Sequence, residues 1–433
     1  MIPEKINPDM KKIIFLFVLM LGTAFLQAQD IAGDWAGYVN VQGAKLKIVF
    51  HILRDDGKLS ATFDSPDQGA MGLKIDETAL TGNELSLNAK SLGILYQGTV
   101  SKAMDTIKGT WIQGGGRLPL TVERTIQEVI HKTVNPYETD IVLKTASGDI
   151  NGTLTLPGQA PDVPVVLIIA GSGPTDRDGN SPPALKNNSN CYKLLADELR
   201  KHGIASVRYD KRGIAGSRAA AKKESDLRFE NYISDAKGWI DLLSQDKRFS
   251  KIIVAGHSEG SLIGMIACNQ AKANGYISIS GSGRPADEIL KEQFGTLPRE
   301  DKDLIFPMLD KLKKGDTIGN VPKELYAFFR PSLQPYMISW FRYDPPAEIK
   351  KLKMPVLIIQ GDMDIQISVN DAELLAKANK KAKLRIIKNM NHILKDTDTK
   401  DKMEQVNKVY TNPDLPLDKN FEDEMVKFIK EVK

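Results

Sequence analysis

Cysteine is nearly absent: the chain has two, Cys191 and Cys268, in 433 residues. A disulfide-stapled scaffold and a thiolate zinc cluster are excluded on that count. A single Cys191–Cys268 pair stays open, although both residues fall in helix-like text where cysteine acts as a small buried apolar group. Histidine is almost as scarce, at five. No charge of one sign dominates, since 59 Lys and Arg against 55 Asp and Glu leave +4. Nothing resembles the concentrated basic field that phosphate contacts require, so nucleic acid is not an expected partner. Thirty-four glycines and 22 prolines are ordinary numbers for a globular protein, which excludes collagen-like and wholly disordered chains. After the first thirty residues no apolar run is long enough to span a bilayer.

What is present begins with an export signature. Met10-Lys11-Lys12 supplies positive charge, Ile13 to Leu21 is almost purely apolar, and Gly22-Thr23-Ala24 opens a small-residue stretch. Residues 1–28 therefore read as a secretory signal peptide, with a mature chain starting near Asp30. The expected destination is periplasmic or extracellular, with no stable membrane insertion after cleavage.

Two compositional regimes follow. Residues 30–125 are short and alternating, with strand-like Leu46-Lys47-Ile48-Val49-Phe50 and Leu118-Pro119-Leu120-Thr121-Val122 among them. Turns such as Asp55-Asp56-Gly57 and Thr81-Gly82-Asn83 separate the strands. This predicts a small antiparallel β domain, a sandwich or partly closed barrel of about eight strands. Trp35 and Trp111 are expected to close a barrel end, with stacking on a sugar as the alternative. Residues 126–136 read as a connector. From 137 to 433, apolar runs at Val165–Ala170, Ala205–Tyr209, Ile252–Ala255, Ile277–Ser280, Val356–Gln360 and Leu384–Ile387 alternate with helical text, behind a leading hairpin. Such runs suit a mostly parallel sheet buried on both faces, so the fold class is α/β, doubly wound. The rhythm breaks at about 285–350, which is helix-prone and reads as a cap over the strand ends.

The chemistry-bearing phrase is Gly256-His257-Ser258-Glu259-Gly260, directly after a strand and directly before a helix. A strand-to-helix turn that tight requires small residues two before and two after the serine, and it projects Ser258 at a helix N-terminus, where free N–H groups favour negative charge. A serine hydroxyl needs a base, and the base needs an orienting group. Of the five histidines, His51 lies in the β domain, His131 in the connector, His202 at a helix end and His257 inside the elbow. His392, in the loop after the last strand, is the candidate base. Two carboxylates compete as its partner in Gly361-Asp362-Met363-Asp364; Asp364 has the better spacing to aim back, and Asp362 is expected to brace the loop. For a developing oxyanion the donors are the N–H of Glu259 and one from Ala170-Gly171-Ser172-Gly173-Pro174. Ser172 is preferred there over Gly173, and Pro174 has no N–H. Gly171, Gly173 and Arg177 are candidate substrate contacts.

By Gly171-Ser172-Gly173-Pro174-Thr175-Asp176-Arg177-Asp178, Asp210-Lys211-Arg212-Gly213, Gly256-His257-Ser258-Glu259-Gly260, Gly361-Asp362-Met363-Asp364 and Asn391-His392, the chain from about Tyr137 resembles the α/β-hydrolase superfamily. It is similar to the serine-aminopeptidase (S33)-like and dienelactone-hydrolase-like branch, and in particular to EstD-type carboxylesterases with an extra N-terminal domain. The resemblance implies hydrolysis of a small-molecule carboxylic ester through an acyl-serine, without metal or cofactor. Two other functions stay open. One is an aminopeptidase on the same triad, with Glu259 holding a substrate ammonium. The other is a carbohydrate-binding or surface protein whose hydrolase domain is inert. Acyl and alcohol specificity and oligomeric state are left open by the sequence.

Overall fold

The computed structural model describes residues 30–433 except 42–43, 56, 66–69, 126–134, 159–160, 183–184 and 186. The signal-peptide reading of residues 1–28, His131 and most of the connector lie outside the described residues. The chain divides into two compact units, Met1–His131 and Lys132–Lys433.

The first unit is one nine-stranded sheet. Its strands are β1 Gly33–Val41, β2 Ala44–Asp55, β3 Lys58–Ser65, β4 Ala70–Lys74, β5 Glu77–Thr81, β6 Glu84–Ala89, β7 Ile94–Val100, β8 Thr106–Gln113 and β9 Gly116–Thr125. All pairs are antiparallel, and the order β4-β3-β2-β1-β9-β8-β7-β6-β5 is cyclic in sequence, ending at the consecutive strands β4 and β5. It is an up-and-down half-barrel, nine strands rather than about eight, open at one seam. Alternate residues point inward, as a two-residue period requires: Trp35 and Val39, Ile48, Phe50 and Ile52, Tyr96 and Val100, Ile107 and Trp111 are all buried. The Phe50 ring sits 4.9 Å from that of Tyr96 and 6.4 Å from that of Trp111. Gly98 and Gly109 make room for the Tyr96 phenol; a Cβ at Gly109 would lie 2.7 Å from it. Trp35 and Trp111 thus fill the interior, at 0% and 4% exposure, and present no face on which a sugar could stack.

The second unit opens with the hairpin β10 Glu138–Thr145 and β11 Gly148–Thr155. It continues through β12 Val163–Ile169, β13 Ala205–Tyr209, β14 Phe249–His257, β15 Gly275–Ile279, β16 Val356–Gly361 and β17 Lys383–Ile387. The sheet order is β10-β11-β13-β12-β14-β15-β16-β17, antiparallel through β11–β13 and parallel thereafter. Helix α1, Cys191–Lys201, links β12 to β13; α2, Phe229–Ser244, leads to β14; α3, Glu259–Gln270, leaves β14. Two apolar cores lie on the two faces of the sheet. One joins α2 and α3 to Val165, Leu167 and Ile169; the other joins α1 and the C-terminal helix Lys419–Glu431 to Val166 and Ile168. Cys268 is in the first and Cys191 in the second; both are free thiols, so the open pair is not formed. The chain leaves β12 towards β13 on one side and β14 on the other. That reversal creates a crevice outside the carboxyl ends of β12 and β14.

The 285–350 segment is helical, including Ala286–Gln293, Arg299–Lys314, Gln334–Trp340 and Pro345–Lys351. Leu309, Leu312, Phe329 and Phe341 give most of it a core of its own. It is anchored on the start of α2, where Trp340 stacks on Phe229 at 6.0 Å between centroids and Ser339 accepts the Phe229 N–H. No helix among the described residues is long and apolar enough to cross a membrane.

Candidate active site

Ser258 sits between β14 and α3 with φ 56° and ψ −120°, a strained backbone for a non-glycine residue. The packing explains the glycines around it. A Cβ at Gly256 would strike the Gly260 carbonyl, and a Cβ at Gly260 would strike the carbonyls of Ile169 and Ala170 at the end of β12. The strain is held by the sheet, since the Ser258 N–H donates to Ile279 O at 2.9 Å.

His392 is brought to the same place by the loop after β17. Its Nδ1–H donates to Asp364 Oδ2 at 2.8 Å, which leaves Nε2 as the proton acceptor. Asp364 follows β16 and is saturated with donors. Oδ1 accepts the N–H groups of Gln366 and Ile367, at 2.7 and 2.9 Å, and Oδ2 also accepts Gln360 Nε2 at 3.0 Å. Burial alone would raise its pKa, but His392 and these donors outweigh it and hold the carboxyl below the usual range. Asp362, the competing carboxylate, accepts the Asn389 N–H at 2.6 Å and ties the histidine loop to β16.

Ser258 and His392 line one cavity of about 270 Å³ together with Gly171 and Ser172. Gly171 lies against Ser258; a Cβ there would be 3.1 Å from that of the serine. Gly173, at φ +79°, belongs to the same turn but does not line the cavity. Glu259 offers its N–H as the first residue of α3. Its carboxylate is buried and accepts Lys211 Nζ at 2.7 Å, while the same Nζ donates to Gly171 O at 2.6 Å. Arg177 differs from expectation: its guanidinium grips Asp210 at 2.7 and 3.0 Å and Thr153 at 3.1 Å, so it braces the loop after β12 instead of facing substrate.

The 285–350 segment reaches this cavity from behind its wall, where Gln293 Nε2 donates to Gln366 O at 3.2 Å. None of the cavity's lining residues comes from that segment. Besides His257, Ser258 and His392, they come from the loop that begins at Gly171, from the first two residues of α1 and from the stretch after His392, with Gln366 between. Ile393, Val406 and Tyr410 supply the apolar side, the last two from a single π-helical turn, Val406–Tyr410. Tyr410 O accepts the Asn188 N–H at 2.8 Å, which joins the two loops. The sequence carries little signal of this wall, because Asp396–Lys408 is polar and has no apolar period. Gln360, which backs Asp364, was hidden inside an apolar strand.

A parallel sheet with an antiparallel leading hairpin, a serine at the sharp β14–α3 turn and a histidine–carboxylate pair after its last two strands define an α/β-hydrolase fold for the second unit. Residues 185–319 match the family model described as serine aminopeptidase, S33. Esterase EstD of Thermotoga maritima is 26% identical over 254 residues, covering 56% of this chain and 57% of EstD, so the chain spans under two thirds of that relative. Among solved structures, Est1E from Butyrivibrio proteoclasticus is similar with a TM-score of 0.45 and 18% identity, over 67% of this chain and 99% of that one. The Pyrococcus furiosus esterase Pf2001 also scores 0.45, at 16% identity, over 68% of this chain and 91% of that one.

Proposed function

We propose that the protein is an exported serine carboxylesterase acting on small-molecule esters. Ser258 attacks the ester carbonyl as His392 Nε2 takes its proton. The N–H groups of Glu259 and Ser172 hold the tetrahedral oxyanion, and His392 then protonates the leaving alcohol. The same histidine activates water, which releases the acid from the acyl-serine. Asp364 keeps His392 in the Nδ1–H tautomer throughout.

The observation that carries the reading is the 2.8 Å Asp364–His392 bond beside a strained Ser258 on a shared cavity. The naming of EstD as an esterase supports the ester over the amide. The Glu259 carboxylate does so too, since it is already neutralised by Lys211 and not free for a substrate ammonium. Export rests on the residue 1–28 pattern; N-terminal sequencing of the mature protein tests it, with a start near Asp30 expected. For the activity, turnover of p-nitrophenyl butyrate is compared with that of an aminoacyl p-nitroanilide, in the wild type and in Ser258→Ala. Ester turnover that exceeds amide turnover and disappears in the variant is expected. Preference for the anilide would make the protein a peptidase, and no turnover of either would favour an inert domain.

A further inference from the structure

The residue before the nucleophile has a partner on each ring nitrogen. His257 Nε2 is 2.8 Å from the main-chain carbonyl oxygen of His392, and Nδ1 is 2.7 Å from the Tyr192 hydroxyl. A carbonyl only accepts, so the proton of His257 is on Nε2 and Nδ1 is bare. Nδ1 therefore accepts the Tyr192 O–H, and the Tyr192 oxygen accepts the Gly171 N–H at 3.0 Å. The bonds run one way, from Gly171 N–H through Tyr192 and His257 to His392 O. One end is the loop expected to hold the oxyanion; the other is the backbone of the base. Ser258 lies between them.

We infer that His257 and Tyr192 are positioning residues that fix the distance between oxyanion loop and base across the nucleophile. This rests on the reading of Ser258 and His392 given above. The chain works only with a neutral imidazole, because a proton on Nδ1 would take away the acceptor of the Tyr192 O–H and reverse that link. The surroundings keep it neutral: burial, and then the nearby His392, push His257 down to about 3. The titratable groups facing it are Tyr192, His392 and Asp364. The His257 and His392 rings are 4.7 Å apart, so a shift of one is felt by the other.

The test is steady-state hydrolysis of p-nitrophenyl acetate by the full chain as wild type, Tyr192→Phe, His257→Phe, His257→Gln and the Tyr192→Phe/His257→Phe double variant. Folding is checked by near-UV circular dichroism. A displaced catalytic group costs roughly 10- to 100-fold, so both single Phe variants are expected to lose that much in kcat with KM within about twofold. The double variant should lose little more than the worse single, because two links of one chain are not additive. Gln at 257, whose amide accepts and donates, should recover most of the loss. Multiplicative losses, or a change in KM in place of kcat, would overturn the inference. If His257→Phe does not fold, Tyr192→Phe alone decides, and an unchanged kcat there overturns it. Labelling with a fluorophosphonate separates the two levels. An adduct on wild-type Ser258 with undiminished kcat in the Phe variants removes this inference alone, whereas no adduct removes the nucleophile reading and the inference with it.

Discussion

Two aspartates two residues apart do different work, and a single atom change separates them. Asp364 accepts four hydrogen bonds, one from His392. Asp364→Asn puts an amide donor among those donors and favours the wrong histidine tautomer, so kcat should fall by about 10⁴-fold. Asp362 accepts a main-chain N–H from Asn389, which an asparagine oxygen accepts equally well. Asp362→Asn should hold activity within about threefold, because the tie to the histidine loop is kept. Initial rates on one ester check both. At this scale the sequence was informative where a side chain had few rivals. Five histidines left one in a loop after the last strand, and the small residues around Ser258 follow from the turn itself. The place of Arg177 was not legible, because a charged loop residue reads alike whether it faces a cavity or an internal Asp210. Position 257 stood inside the motif, but its role depends on Tyr192, sixty-five residues away.

Among elements, the loop after β12 is held to α3 by a buried ion pair. Lys211 joins Gly171 O to the Glu259 carboxylate, and both charged side chains are almost fully buried. Lys211→Met would leave one buried charge and one carbonyl unpartnered, a loss of about 3–5 kcal/mol in denaturant unfolding of the second unit. Adding Glu259→Gln should recover part of that loss, since the stranded charge is then gone. The strands and helices of this unit were legible because sheet burial on both faces writes continuous apolar runs, and the leading hairpin announces itself by Ser147-Gly148-Asp149. The cavity wall was not legible. The 285–350 insertion is the one break in the strand–helix rhythm, yet most of its apolar residues satisfy one another in a separate core, and Trp340 and Ile349 join the core of the sheet. The segment that shapes the cavity, around Val406 and Tyr410, is mostly polar and leaves no periodic trace.

Over the whole molecule, two histidines give the two units opposite responses to pH. In the half-barrel, His51 lies between Asp34 and Asp64 at 2.7 and 3.0 Å. The Asp64 hydrogen bond is the leading cause that raises its pKa to about 9, against partial burial. A raised folded pKa gives stability that is full below about 6.5 and lost as pH climbs through 9. His257 is the reverse: its folded pKa of about 3 means that the unfolded chain takes up a proton the folded chain refuses, so the second unit loses stability as pH falls below about 6.5. Calorimetry should show one transition moving down from pH 7 to 9 and the other moving down from pH 6.5 to 5. His51→Asn should flatten the first and leave the second alone. The β domain was legible as a class, but its cyclic strand order was not, because alternation fixes which face is buried and not which strands pair. The most direct test of the central claim is mass-spectrometric mapping of a fluorophosphonate adduct on the intact protein. The account predicts one adduct, on Ser258, formed at least about 10³-fold more slowly in His392→Ala; an adduct on another residue, or undiminished labelling of that variant, would contradict it.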